Sequence, residues 1–568
     1  MKKLLLTACL SVGMSVACMT PAVTVASAKK ASTSMKVSVT STAVKIKVSK
    51  ATSSGTLYAF DANTYASKDS LKGQGKSSKG TKIGTIKKGQ TKTFTTDRTS
   101  STGYDNLYKK YYLLSGSKII KGPVYATSIA SKSSKTFSQK TKKGLFVENN
   151  TSYLSTAKSL GAASTTLNID LASILYKDAA SAPSNAIQFQ SNGKTYYFNP
   201  TTIGRYDAFV KKAYSNNIRV VGIAVPFYTS NRTTYPTTLR YNSPKSKATL
   251  GTNTSNATGR DYYIAMMEFL ASRYSNSKNG YISTYVISNE IDFTHYFYAT
   301  SNFNKYMEEY SRSLRLANLA VKKFGKNIDV AVPFTHYWAK SASQMYKECP
   351  TASFAPKKMV NWLAKQTNAR GAYNWGLAPH PYGVINTKSN MALGDSSAKL
   401  KGKKTLTGDY NSPEITFTNL EVYDRYLGTS AMKYNGKKRS VYLTESGCSS
   451  STMTSTGLNE QAATLAMAYY KIANLSSIKC FNYYRLKDHK EEAANHLTCG
   501  LIKANGKKKP AYTVFKNMNK KKSAANKYLK YIKYKKNGSG STKKATSWSN
   551  AMNIYTNKFK LNWKNVIK

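Results

Sequence analysis

Two apolar runs in this sequence end abruptly on a glutamate: Tyr285-Val286-Ile287-Ser288-Asn289-Glu290 and Val441-Tyr442-Leu443-Thr444-Glu445. Asp and Glu together number 26 in 568 residues, so an acid at the exit of a buried strand calls for a chemical reason. Glycosidic-bond cleavage supplies one, because it needs one carboxyl as acid/base and a second as nucleophile. The nucleophile must stay ionised with the help of nearby donors. The acid/base must hold its proton near neutrality through burial or a neighbouring like charge.

The elements that must position these acids follow from the apolar rhythm. From Lys143 onward, short apolar strands alternate with helical stretches. Eight strands are predicted: Leu145–Val147, Thr166–Leu171, Ile218–Val225, Ile282–Ile287, Ile328–Val332, Gly376–Ala378, Ser440–Leu443 and Lys479–Tyr484. Helical spacing marks Asp261–Tyr274, Lys305–Phe324, Leu420–Leu427 and Gln461–Ala473, with Gly325 and Gly428 as stops. Continuous apolar strands alternating with helices imply a parallel sheet covered on both faces. Eight such units fit an α/β fold of the (β/α)8 TIM-barrel type. A doubly wound sheet would want a glycine-rich phosphate loop after its first strand, where Glu148-Asn149-Asn150 stands instead.

Ahead of the barrel, residues 29–142 alternate at strand period between Gly/Ser/Lys-rich turns and predict a small all-β, sandwich-like domain. Residues 143–520 make up the barrel. Residues 521–568 form a basic, aromatic-rich extension, either packed on the barrel or a wall-binding tail.

In an eightfold barrel the working residues sit at the C-terminal ends of the strands. Polar residues fall there repeatedly. Glu148 ends strand one and Asp170 lies on strand two beside Asn168; Asn289 and Glu290 end strand four. His336 and Trp338 follow strand five, His380 and Tyr382 follow strand six, Glu445 ends strand seven, and Tyr484 with Arg485 ends strand eight. Four of the five histidines (His295, His336, His380, His489) come just after a predicted strand, which points to one polar pocket. Glu148 and Asp170 are candidate substrate ligands that could equally orient loops, and His489 beside Asp488 reads as surface. Asn-Glu alone is a weak signal, since it recurs at Asn459-Glu460, where a helix start would explain it. A metal reading from His295 and Asp292 is the minor alternative, and no metal or other cofactor is expected.

These motifs resemble the clan-A retaining glycoside hydrolases. The resemblance implies Glu290 as acid/base, Asn289 as a contact to the sugar 2-hydroxyl, and Glu445 as nucleophile. It implies His380 and Tyr382 as the strand-six pair, with the tyrosine able to hydrogen-bond the nucleophile. Lys508-Lys509-Pro510-Ala511-Tyr512-Thr513-Val514-Phe515 is similar to the start of the last barrel helix in many glycosidases. The mature chain as a whole resembles an uncharacterised secreted bacterial family, domain of unknown function 5722, which brings no substrate with it. Two departures bear on the substrate subsite. Tyr483 and Tyr484 stand where the clan commonly ends strand eight on a tryptophan, and the strand-two arginine is absent.

The remaining features bound the setting. Lys2-Lys3, an apolar stretch and Ala26-Ser27-Ala28 read as a secretory signal cleaved after Ala28, so a secreted or cell-surface protein is expected. Lipid attachment at Cys9 or Cys18 matches the acceptor pattern incompletely. A formal charge of +60 favours anionic partners such as cell-wall polymers, while no nucleic-acid-binding module and no later membrane span is recognisable. Cys349, Cys448, Cys480 and Cys499 allow two disulfides with three connectivities, Cys480–Cys499 being the first pairing expected. The expected function is a retaining glycoside hydrolase acting on a poly- or oligosaccharide. The alternative is a non-catalytic, surface-retained glycan- or wall-binding protein on a degenerate barrel.

Overall fold

The computed structural model describes residues 32–67, 69, 80–228, 235–243, 249–345, 352–382, 399–400, 403–450, 452–494, 497–519, 523–535, 542–553 and 559. The signal segment and Cys349 lie outside the described residues.

Strict alternation of buried and exposed residues builds the first domain. Strands β1 (Ser34–Val39) and β2 (Ala43–Ser49) bury Val37, Val39, Val44, Ile46 and Val48 on one face. With β5 (Lys92–Asp97) and β8 (Ser128–Ile129) they form a sheet of order β5-β2-β1-β8. A second sheet, β4-β3-β6-β7, comprises β3 (Gly55–Phe60), β4 (Thr81–Ile86), β6 (Lys110–Ser115) and β7 (Lys118–Val124).

The barrel closes as expected. Its parallel strands are β9 (Lys143–Leu145), β10 (Ser164–Asp170), β13 (Arg219–Val225), β14 (Ile282–Ile287), β15 (Asp329–Phe334), β16 (Gly376–Pro379), β19 (Val441–Ser446) and β20 (Ile478–Tyr483). Two excursions carry small hairpins: β11 (Ile187–Ser191) with β12 (Lys194–Phe198), and β17 (Lys399–Leu400) with β18 (Lys403–Lys404). The covering helices include α1 (Tyr153–Ser159), α2 (Pro200–Ser215), α3 (Ala257–Arg273), α4 (Phe303–Phe324), α5 (Ala342–Met345), α6 (Pro356–Ala369), α7 (Glu421–Tyr426) and α8 (Ser455–Asn474). Asn199, Asn256, Asn302 and Thr454 cap α2, α3, α4 and α8 by accepting first-turn N–H bonds. Thr454 thus starts α8, and Asn459-Glu460 lies one turn inside it rather than at its cap.

The barrel interior is apolar toward the middle and polar toward β9 and β10. Val221, Ile223, Val225, Val286, Ala331, Ala378, Tyr442 and Cys480 form one inner cluster. Beside it Ser164 donates to Asn482 at 2.6 Å, Asn482 donates to Thr166 at 2.9 Å, and Thr166 donates to the Thr444 carbonyl at 2.7 Å. A Cβ at Gly144 would lie 2.1 Å from Asn482 Oδ1, so this closure between β9 and its neighbours requires glycine.

After β20 the chain runs through α9 (Lys490–Ala494) to α10 (Pro510–Asn517), the last barrel helix, at the Lys-Pro-Ala-Tyr segment. Within the basic extension, α11 (Ser523–Asn526) and α12 (Trp548–Met552) pack on α8, where Trp548 meets Tyr470 edge to face at 5.1 Å. The described part of the extension is therefore packed wall, not a free tail. The expected Cys480–Cys499 disulfide is not formed: Cys448, Cys480 and Cys499 are buried free thiols. Cys480 points into the barrel interior, whereas Cys499 sits at the mouth against Phe146 and Tyr484.

Candidate active site

Local irregularities in two strands deliver the glutamates to the barrel mouth. On β14, Ser288 and Glu290 take positive φ of 71° and 36° at the strand exit. Such backbone is strained for residues with a Cβ, and it persists where surrounding structure over-determines it. On β19, Tyr442 pairs with Cys480 and Leu443 with Phe481, but Ser446 pairs with Tyr483. One extra residue is thus accommodated across Thr444–Glu445, a bulge of the kind that re-aims side chains beside active sites. Simple alternation from the inward Tyr442 would have turned Glu445 outward.

The two carboxylates meet at His380, which is fully buried at the end of β16. Its Nδ1 lies 3.0 Å from Glu290 Oε1 and 3.8 Å from Glu445 Oε2, and its Nε2 lies 3.2 Å from Thr444 Oγ1. Each glutamate side chain is 20% exposed, open enough to meet a ligand. Among the described residues no Lys or Arg pairs with either acid. Burial alone would depress the His380 pKa, but the charges of Glu445 and Glu290 and the Glu290 hydrogen bond raise it above the ordinary imidazole value. The two acids thus favour the protonated ring.

Glu445 has a raised pKa. Burial is the largest cause, opposed by His380 and by a hydrogen bond from Tyr382, and reinforced by Glu290 and Glu492. With two acids on one imidazole, protons leave the cluster in steps that belong to the group rather than to one residue. The protonation of the cluster therefore does not by itself distinguish the two acids.

The surroundings sort the other candidates. Asn289 Oδ1, next to Glu290 in the chain, is buried with no hydrogen-bond partner among the described residues. Tyr382 meets Tyr484 edge to face at 5.7 Å, and Tyr484 lies on Phe146 at 4.9 Å, so these three rings form an aromatic wall. Glu148 is tied to Arg485 at 2.7 Å, and Arg485 reaches Glu492 at 2.6 Å, with the Tyr484 hydroxyl donating to the same Glu492 at 2.5 Å. Glu148 thus holds the strand-eight loop. His336 stays neutral, its pKa pushed down to about 4 by burial, and it faces Glu414 at 3.7 Å.

Two expected ligands belong to the framework. Asp170 Oδ1 accepts the N–H groups of Ala172 and Phe227, at 3.0 and 3.1 Å, and so ties two loops together. Trp338 is fully buried, its indole donating to the Tyr410 carbonyl at 3.1 Å and packing on Tyr423 and Tyr426. A sugar face does not reach it. Of the four histidines, His295 and His336 feel the charge of Glu290 and His380 binds it, whereas His489 is exposed outside this cluster.

Asp292, which from the sequence suggested only a metal ligand, sits beside the two glutamates. It is fully buried and accepts the Thr335 N–H at 2.9 Å and the Thr335 hydroxyl. Burial and Glu290 push its pKa up to about 7. Tyr296, whose pKa is raised by burial and by Glu290 and Glu445, was missed. Both lie within six residues of Glu290, and that proximity was the available signal. Among the described residues no group of three or more His, Cys, Asp and Glu side chains could hold a metal ion.

Comparisons with known proteins give the following. No curated protein matches the sequence. Similar solved structures include a family 39 glycoside hydrolase from the gut symbiont Bacteroides cellulosilyticus WH2, 14% identical over 85% of this chain and 82% of that one, with a TM-score of 0.43. The β-glycosidase from the hyperthermophile Thermosphaera aggregans is 11% identical over 68% of this chain and 88% of its own, at TM-score 0.42. A GH5_18 protein from Streptomyces cattleya, solved in complex with GlcNAc, is 11% identical over 69% and 81%, at TM-score 0.40. Likenesses at that level leave function to be argued from the site. Residues 135–537, covering the barrel and the start of the extension, match the family of unknown function DUF5722, and the chain belongs to that family.

Proposed function

We propose that this protein is an exported retaining glycoside hydrolase acting on a poly- or oligosaccharide, with Glu290 as acid/base and Glu445 as nucleophile. One observation carries the reading. Two carboxylates from the ends of β14 and β19 lie within reach of a single imidazole nitrogen, and no Lys or Arg among the described residues neutralises either. The separation of those two oxygens cannot exceed the sum of the two contacts to Nδ1. That bound includes the roughly 5 Å of retaining enzymes and leaves little of the inverting range of about 6.5–9.5 Å.

In this mechanism Glu445 attacks the anomeric carbon while Glu290 protonates the departing oxygen. The Tyr382 hydroxyl and the His380 charge favour the ionised form of Glu445 during attack. The covalent glycosyl ester then meets a water from which Glu290 removes the proton, releasing the sugar and restoring both acids. Asn289, with its free Oδ1, accepts from a sugar hydroxyl; the Phe146, Tyr382 and Tyr484 wall takes the place of the strand-eight tryptophan. Export rests on the N-terminal signal pattern alone, and among the described residues no helix is long and apolar enough to cross a membrane.

The test is a screen of purified protein against aryl glycosides and plant, fungal and bacterial polysaccharides, with product anomers followed by NMR. Retained configuration with a turned-over substrate supports the proposal. Azide rescue of Glu290→Ala to a retained glycosyl azide, and of Glu445→Ala to an inverted one, fixes the roles. Glycan binding without turnover in the wild type would replace it with the degenerate-scaffold reading.

A further inference from the structure

The acids and bases of this protein are segregated by depth. Among the described residues, Asp97, Asp178 and Glu491 are the carboxylates that stand exposed; the others are buried or half-buried. Apart from Arg205, every described arginine is also buried or half-buried. The outer surface is therefore left to lysine, on a chain of formal charge +60.

One face concentrates this feature in a regular array. On the solvent side of the β5-β2-β1-β8 sheet, the cross-strand row Thr95–Lys45–Ser38–Ser128 lies beside the row Thr93–Lys47–Lys36, followed by Ser49–Ser34. Lys36, Lys45 and Lys47 are exposed, as are Ser34, Thr93, Thr95 and Ser128. Residues directly opposite across a strand pair lie about 5 Å apart, and like charges there destabilise the sheet. Lys36 and Lys47 are such a pair, and Lys45 follows about 7 Å along the strand. No acid stands opposite the pair; the one carboxylate on this face, Asp97, lies across from Ala43, two residues beyond Thr95 and nearer Lys45 than the pair. A counter-charge from outside would relieve this repulsion.

We propose that this sheet face is the docking surface for an anionic, carboxylate-bearing polysaccharide. The ammonium groups match the carboxylates by charge, and the interleaved Ser and Thr hydroxyls suit the hydroxyls of a sugar chain. No aromatic ring on this face offers a stacking platform for a neutral glycan. The choice of a polysaccharide over another polyanion rests on the glycosidase reading of the barrel. The surface would hold the enzyme on a charged matrix while the barrel mouth works on its substrate.

The experiment measures binding of the full-length mature protein to polygalacturonate, with dextran and a polyol phosphate polymer as comparison probes, across a salt series. The triple variant Lys36→Ser/Lys45→Ser/Lys47→Ser should bind polygalacturonate about tenfold more weakly than wild type, with a shallower salt dependence. A control that removes the same charge elsewhere (Lys278→Ser/Lys433→Ser/Lys437→Ser) should change binding less than about twofold. Equal losses in both triples, or tighter binding to the polyol phosphate than to polygalacturonate, would overturn the proposal. Binding is read without turnover, so its outcome is separate from that of the glycosidase proposal; aryl-glycoside hydrolysis should be unchanged in both triples.

Discussion

The acids beneath the sandwich domain and the acids at the barrel mouth differ in their partners. Under the sandwich domain, Glu268, Glu308 and Glu309 on α3 and α4 are nearly inaccessible. Glu308 accepts from Tyr65 at 2.7 Å and from Arg370 at 2.9 Å, Arg312 pairs with Glu309, and Glu268 accepts from Tyr108 and Lys323, each at 2.5 Å. Arg260 joins in by bridging Asp61 of the sandwich at 2.9 Å and Asp261 at 2.8 Å. At the barrel mouth, Glu290 and Glu445 share one imidazole, and Asp292 beside them accepts only from Thr335 among the described side chains. Acids matched by guanidinium and ammonium groups are fixed in charge and serve as mortar between domains. Acids left short of cations keep proton affinities that a reaction can use.

Breaking the mouth should have the largest effect on activity. Glu445→Gln and Glu290→Gln should each lower turnover of an unactivated glycoside by about a thousandfold or more while leaving the thermal midpoint in place. Scanning calorimetry beside the rate assay checks both halves.

The interface should behave the opposite way. Removing one partner, as in Arg312→Met or Glu308→Gln, strands a buried charge and should destabilise by about 3–5 kcal/mol. The kcat of the protein that remains folded should not change. A loss of kcat at constant stability would erase the distinction between the two regions.

His380→Gln tests whether the mouth depends on the imidazole that the two glutamates share. The expected loss is about a hundredfold in kcat, with the pH profile altered more than KM. Because folding raises the His380 pKa, the charged ring favours the folded state. That contribution is complete below the ordinary value of 6.5 and is lost as pH rises through the raised one. The variant should therefore lose most stability at acidic pH.

Asp292 has the same sign. Its pKa rises from 3.8 to about 7, so the folded chain keeps a proton that the unfolded chain releases. Stability should fall as pH rises between those values, by up to about 1.4 kcal/mol per unit, and level off above them. Asp292→Asn should flatten this slope in urea titrations at several pH values. The smallest effect is expected for Tyr382→Phe, which removes one hydrogen bond to a charged acid. A loss of about 1.5 kcal/mol in transition-state stabilisation, roughly tenfold in kcat/KM, matches the weaker bonds of that kind.

Much of this organisation is legible in the linear chain. The eight barrel strands and the four predicted helices fall within several residues of their apolar patterns, because strand and helix periods follow directly from which residues must be covered, whereas α2 and α6 went unread. The Asn-Glu and Thr-Glu endings mark their strands for the same reason. Trp338 and Asp170 show where that legibility stops: position after a strand places a residue near the mouth, but not the direction of its side chain. Trp338 turns into the helical wall, and Asp170 turns back to the backbone of its neighbours. Cys480 and Cys499 likewise flank one loop yet point into different compartments.

The barrel, the antiparallel domain ahead of it and two strands ending on glutamate could be read from the linear chain, since burial of apolar surface is encoded locally in period and composition. Tertiary structure alone decided that the glutamates converge on His380. That depends on a one-residue bulge in β19, positive φ at the end of β14, and closure of a ring whose members are far apart along the chain. It also decided which acids became mortar, because a carboxylate's partners are set by what the fold brings against it.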